Sequence, residues 1–171
     1  MKLIATIASV LFTALSFAQF PINDKGKIEY TNVVAADSLN ATELFGKARL
    51  FLSKAFNSGK ETTELTDEQN NVVSAKGWAP VYITSLGVKY EQQLWFSFTI
   101  QCKAGRYKYT IDNVYLVSKG TKQSNEYYFE NGKGAWFSNK QWDSVKEQAD
   151  NILKSLIADL KKNMVKTADT W

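Results

Sequence analysis

The chain shows its clearest pattern between Val88 and Lys103, where apolar and polar residues alternate. Val88, Tyr90, Leu94, Phe96, Phe98, Ile100 and Cys102 fall on one side, and Lys89, Glu91, Gln93, Trp95, Ser97, Thr99 and Gln101 on the other. A period of two over this length predicts a strand with one buried face. Ala104-Gly105-Arg106 then makes a tight reversal into Tyr107, Tyr109 and Ile111, alternating with Lys108, Thr110 and Asp112, so the two runs form a hairpin.

Shorter strands flank it. From Gly26 to Val34, Ile28 and Tyr30 alternate with Lys27, Glu29 and Thr31. Thr62 to Thr66 is a brief β-prone segment, closed by the polar turn Asp67 to Asn71. Val72 to Ala79 is a further strand, which Pro80 restricts to an edge or an end because proline donates no ladder hydrogen bond. Val81 to Thr84 either extends that strand or forms a separate piece.

Two segments switch to helical spacing. Asn40 and Glu43 form a capping box ahead of Leu44, Ala48, Phe51, Leu52, Ala55 and Phe56, and Asn57-Ser58-Gly59 stops the run. Near the C-terminus, Ser138 or Asn139 caps a helix from Gln141 to Met164. Its apolar stripe contains Trp142, Val145, Ala149, Ile152, Leu153, Leu156, Ile157, Leu160 and Met164, and it is about 35 Å long. Between the last strand and this helix, Ser118 to Lys140 is the least regular stretch. Turns at Asn131-Gly132 and Gly134 leave Tyr127-Tyr128-Phe129 and Trp136-Phe137 to pack as a small flap.

The order β-α-β-β-β-β-α predicts one α+β domain. An antiparallel sheet of about five strands places both helices on its apolar face and turns a polar face to solvent. No repeat or linker divides the chain.

The N-terminus predicts export. Lys2 precedes a mostly apolar run, Leu3 to Phe17, and Ser16-Phe17-Ala18 has the small-x-small form of a cleavage site, so residues 1–18 read as a signal peptide. The run is shorter than the ~20 residues of a membrane span, and Pro21 follows at once. Cleavage puts Gln19 first. A lipid anchor would need a cysteine there, and the only cysteine is Cys102. The expected product is residues 19–171, periplasmic or secreted, with no transmembrane segment and no lipid. Loss of Lys2 lowers the formal charge from +4 to +3, and the lysines are interleaved with acids, which disfavours a nucleic-acid partner. A lone cysteine makes no internal disulfide, and the position of Cys102 in the alternation marks it as a small core residue.

These features together resemble a family. A signal peptide, the Phe20-Pro21 lead, Gly26-Lys27-Ile28-Glu29-Tyr30, the first helix and the Gly105-Arg106-Tyr107-Lys108-Tyr109 hairpin are similar to secreted Bacteroidetes proteins of unknown function with a TBP-like fold. The resemblance covers roughly Phe20 to Val117, and the final helix completes it. It implies a curved sheet with two helices on its convex side. It carries no activity and no functional residues, and likeness to a DNA-binding saddle is not evidence for DNA binding.

The chain is poorly equipped for catalysis. With no histidine it lacks the usual activator of serine or cysteine nucleophiles and the commonest metal ligand, so no metal or cofactor is expected. Gly132-Lys133-Gly134 lacks the strand and spacing of a phosphate loop. Glu61, Glu64, Asp67 and Glu68 are the candidates for carboxylate-based glycoside hydrolysis, but a polar turn offers nothing to raise a carboxyl pKa. The expectation is a non-catalytic binding or assembly module whose partner is an envelope protein or a glycan. A carrier of a small apolar or glycan ligand is the alternative. The candidate contact surface is Trp95, Tyr127, Tyr128, Trp136 and Phe137. The last four also have a packing role open to them at the sheet edge beside Trp142, which is preferred because Trp142 begins the helical stripe. Trp95, on the polar phase of the best strand, is either open to solvent or covered by the flap.

Overall fold

The structure is a computed structural model that describes residues 20–56, 63–118, 126–135 and 137–165. The expected signal peptide and Trp136 lie outside these residues. The elements run β1 (Tyr30–Ala35), α1 (Ala41–Phe56), β2 (Thr63–Asp67), β3 (Val72–Ser85), β4 (Val88–Lys103), β5 (Arg106–Ser118), β6 (Tyr127–Tyr128) and α2 (Asn139–Asn163), with a 3-10 turn at Phe129–Asn131. The fold is the predicted open antiparallel α+β sheet with two helices. Its described residues form six strands, the two-residue β6 adding to the expected five.

The sheet order is β1-β5-β4-β3-β2. β1 pairs with Arg106–Ile111 and β6 with Tyr115 and Leu116, so these two share one edge of β5. β4 keeps its buried face only from Leu94 onward: Leu94, Phe96, Phe98, Ile100 and Cys102 are buried under the helices. Val88 and Tyr90, expected on that buried face, are exposed where the strand and β3 run past the rest of the described sheet. The β4–β5 register shifts by one residue between Trp95 and Ser97, and opposite that shift Asn113 adopts a positive φ of 51°. This bulge changes the phase of β5, so that Tyr107, Tyr109 and Ile111 face the core before it and Val114 and Leu116 after it. Tyr115 is thereby turned to the opposite face.

Both helices are fixed at their starts as the sequence predicts. The Glu43 amide donates to Asn40 Oδ1 at 2.9 Å and the Asn40 amide to Glu43 Oε2 at 2.8 Å. Ser138 caps α2 in a second reciprocal pair with Gln141. α1 lays Leu44, Ala48, Phe51 and Leu52 on the sheet, while α2 contributes Val145, Ala149, Leu153 and Leu160. Gly77 on β3 leaves room for the Phe56 ring at the end of α1, and a Cβ there would collide with it. Cys102 is buried in this core, which pushes its thiol up to about 11 and keeps it protonated and unreactive at neutral pH.

β3 runs straight through Pro80 to Ser85, which settles Val81 to Thr84 as an extension. β2 reaches only as far as Lys76, so Pro80 sits where β3 has become the edge of the described sheet. Side chains of α2 satisfy that edge. Gln148 accepts from the Tyr82 amide and donates to the Tyr82 carbonyl, both at 2.9 Å, and Gln141 donates to the Thr84 carbonyl at 2.9 Å.

Candidate functional site

On the face away from the helices, the register sets four aromatic residues in a line across four strands. Trp78 of β3 lies opposite Trp95 of β4, Trp95 opposite Tyr115 of β5, and Tyr115 opposite Tyr128 of β6. Directly opposed residues share a face and touch. The Trp95 and Tyr115 rings are nearly parallel with centroids 6.4 Å apart, and Tyr115 meets Tyr128 at 5.1 Å. Lys76 holds its ammonium 5.8 Å from the Trp95 centroid and 5.4 Å from that of Tyr115, and Lys27 is 5.5 Å above Tyr128. Trp95 Nε1 donates to Gln93 Oε1 at 3.1 Å. Tyr115 is buried within the strip, whereas Trp95 and Tyr128 are half-buried.

Tyr128 also walls a cleft of about 330 Å³ beside the strip. Its floor is the β5 bulge, Asp112 and Asn113; its sides are the 23–29 turn and Glu130. Asn23 organises the turn, its Oδ1 accepting from the Lys25 and Lys27 amides at 3.0 Å and its Nδ2 donating to Glu29 at 3.1 Å. Glu130 accepts the Ile28 amide through Oε1 at 2.9 Å, while its buried Oε2 has no partner among the described residues. Burial, and then the charge of Glu29, push the Asp112 carboxyl above the usual carboxylate range. The Tyr128 hydroxyl donates to Glu126 at 2.9 Å, which is the main reason its pKa is raised and it remains a neutral donor. Acidic and amide groups, with the lysines Lys25 and Lys27, therefore line a hollow next to an aromatic surface. At the other end of the open face, Lys103, Arg106 and Lys108 surround a cationic hollow of about 220 Å³.

The five residues singled out from sequence divide. Trp95 and Tyr128 meet on the open face through Tyr115. Tyr127, one residue from Tyr128 on a strand, points to the opposite side and packs on Trp142 at 5.7 Å, where Phe137 also lies at 5.3 Å. Trp136 lies outside the described residues. Trp78, Tyr115 and Lys76, and the cleft residues Glu29, Asp112 and Glu130, were not singled out. Trp78 was within reach of sequence reasoning, because pairing outward from Leu86-Gly87 sets it against Trp95. Among the described residues, the candidate hydrolytic carboxylates Asp67 and Glu68 have separate partners. Asp67 is held below the usual range by hydrogen bonds from Asn70, Glu68 is exposed beside Arg49 at 3.3 Å, and Glu61 and the Glu64 side chain lie outside the description. Among the described residues no acidic, histidine or cysteine cluster could hold a metal, and no helix is long and apolar enough to cross a membrane.

An open antiparallel sheet with two helices over one face defines a TBP-like α+β protein. The family model for a domain of unknown function (DUF4468) with TBP-like fold matches residues 30–116, and the chain belongs to that family. Among solved structures it is similar to a DUF4468 family protein from Bacteroides ovatus, with 12% identity, a TM-score of 0.70, and 89% of this chain and 93% of that chain covered. It is also similar to a TBP-like protein from Parabacteroides distasonis, with 13% identity, a TM-score of 0.66, and 84% and 96% covered. Identities this low carry the fold alone. No curated protein matches the chain.

Proposed function

We propose that the chain is an exported, non-catalytic binding module of the cell envelope that holds its partner on the open face of its sheet. The observation that carries this reading is the Trp95–Tyr115–Tyr128 strip, with Trp78 in register beside Trp95, built on the side of the sheet that the helices leave uncovered. Aromatic residues placed there add little to the core, and half-buried rings beside cations are the groups that dominate binding surfaces. Export rests on Lys2, the apolar run and Ser16-Phe17-Ala18.

The test is capture of a partner from native envelope by the tagged, processed protein, followed by binding of the two purified components. Trp95→Ala and Tyr128→Ala should each weaken binding by about 30-fold, the scale of an aromatic anchor, with the circular dichroism spectrum unchanged. If both variants bind as wild type, the open face is the wrong surface.

A glycan partner is the second reading, favoured by the cleft beside Tyr128. Glu29, Asp112, Asn113 and Lys25 there supply the acceptors and donors that sugar hydroxyls use, next to a ring on which a sugar can stack. In that case native mass spectrometry of the protein recovered from its host would show a retained saccharide, and Asp112→Ala would lose it.

A further inference from the structure

The β3–β4 hairpin extends past the rest of the described sheet. β5 follows β4 only as far as Gln92, opposite Ser118, while β3 and β4 continue pairing to Ser85 and Val88. The two-residue turn at their end has positive φ at both positions, 48° at Leu86 and 79° at Gly87. That conformation favours Asn-Gly, because an apolar L-residue with positive φ is strained. Here the position holds leucine, fully exposed. Leu86 thus carries two costs at once, one conformational and one of hydration, and asparagine would remove both.

Its neighbours share the second cost. Val88 and Tyr90 are half-exposed on the helix-side face of the arm, and Tyr82 is exposed on the open face. The tip is therefore apolar at its apex and along its helix-side face, while the open face sets Tyr82 opposite Glu91 and Thr84 opposite Lys89. The four residues together expose roughly 500 Å², short of the ~800 Å² per partner of a standard protein interface. Tyr82 and Tyr90 stand about 10 Å behind the apex, the level at which amphipathic rings meet lipid headgroups when an apolar tip enters the layer below. Lys89, between Val88 and Tyr90, adds a cation two residues nearer the apex than Glu91.

We propose that the Leu86-Gly87 hairpin tip is a lipid-contacting site that inserts Leu86 and its apolar neighbours into a bilayer with anionic headgroups. The site is separate from the aromatic strip and independent of what the strip binds.

The test is flotation of the processed protein, beginning at Gln19, with vesicles of phosphatidylethanolamine and phosphatidylglycerol. Wild type should float with the vesicles, and Leu86→Asn should lower partitioning by at least about tenfold, the value of one leucine withdrawn from an apolar phase. The same variant should melt no lower than wild type, because asparagine suits the turn, so lost binding cannot be put down to lost fold. Lys89→Gln should weaken binding to these vesicles and leave binding to phosphatidylcholine vesicles unchanged. Equal flotation of wild type and Leu86→Asn, or flotation of neither, overturns the proposal. So does a dimer in sedimentation that Leu86→Asn disperses, which would make the tip a contact between copies.

Discussion

Tyr30, Asp150 and Lys154 show how the fold accommodates a buried charge. Asp150 is only 4% exposed, yet both its oxygens are used: Oδ1 accepts the Tyr30 hydroxyl at 2.6 Å and Oδ2 the Lys154 ammonium at 2.7 Å. The first bond joins β1 to α2 across 120 residues of sequence. Tyr30→Phe strips Oδ1 of its partner while preserving the packing, and should cost about 1–3 kcal/mol at neutral pH in urea unfolding. Burial first, then the bond to Asp150, hold the Tyr30 hydroxyl well above the usual tyrosine range. An unfolded tyrosine ionises near pH 10, so the folded state keeps a proton that the unfolded state gives up. The stability this provides is complete below about pH 10 and declines as pH rises further. Wild type should therefore lose stability in alkali faster than Tyr30→Phe, narrowing the gap between them. A gap that stays constant up to pH ~11 would show that Tyr30 does not titrate with unfolding.

Among the elements, the arm of β3 beyond Lys76 has no strand on its outer side among the described residues, and α2 shields it. Pro80 offers no amide, Gln148 pairs with both polar groups of Tyr82, and Gln141 takes the Thr84 carbonyl. An unpaired edge invites a second chain, and side-chain amides that mimic a neighbouring strand remove the invitation. Gln148→Ala should cost no more than about 1 kcal/mol in stability, since water can replace the lost bonds. Its larger effect should be concentration-dependent self-association, read by sedimentation velocity; a variant that stays monomeric at high concentration would refute the edge role. Such long-range pairings separate what was legible from what was not. The β4 alternation from Leu94 onward, the Asn40 and Ser138 caps and the Ala104-Gly105 reversal are local signals, and each reappears in the structure. The one-residue bulge at Asn113 has no local signature, yet it decides that Tyr115 joins the strip instead of the core. The cleft is still less readable, because its walls are joined by contacts such as that of Ile28 with Glu130, which are 102 residues apart.

At the scale of the whole molecule, every described element joins one core or the sheet above it. The buried cluster starts at Phe20, whose ring meets Phe129 at 5.0 Å, and ends at Met164 just past α2. α2 fastens opposite sides of the sheet, holding the β3 edge through Gln141 and Gln148 and β1 through Asp150, while Lys161 lies 6.0 Å over Tyr109 of β5. No subset of these contacts can open without exposing apolar surface shared by the rest. The domain should therefore unfold in urea as one transition, with tryptophan fluorescence and far-ultraviolet circular dichroism giving the same midpoint. The fluorescence comparison is informative because Trp78 and Trp95 report the open face, whereas Trp142 lies on the buried side of α2. Two separated midpoints would mean that the strip and the helical layer are independent units. A single midpoint would mean that the open face and the core beneath it form one cooperative unit, so that the strip persists as a surface for contact wherever the domain is folded.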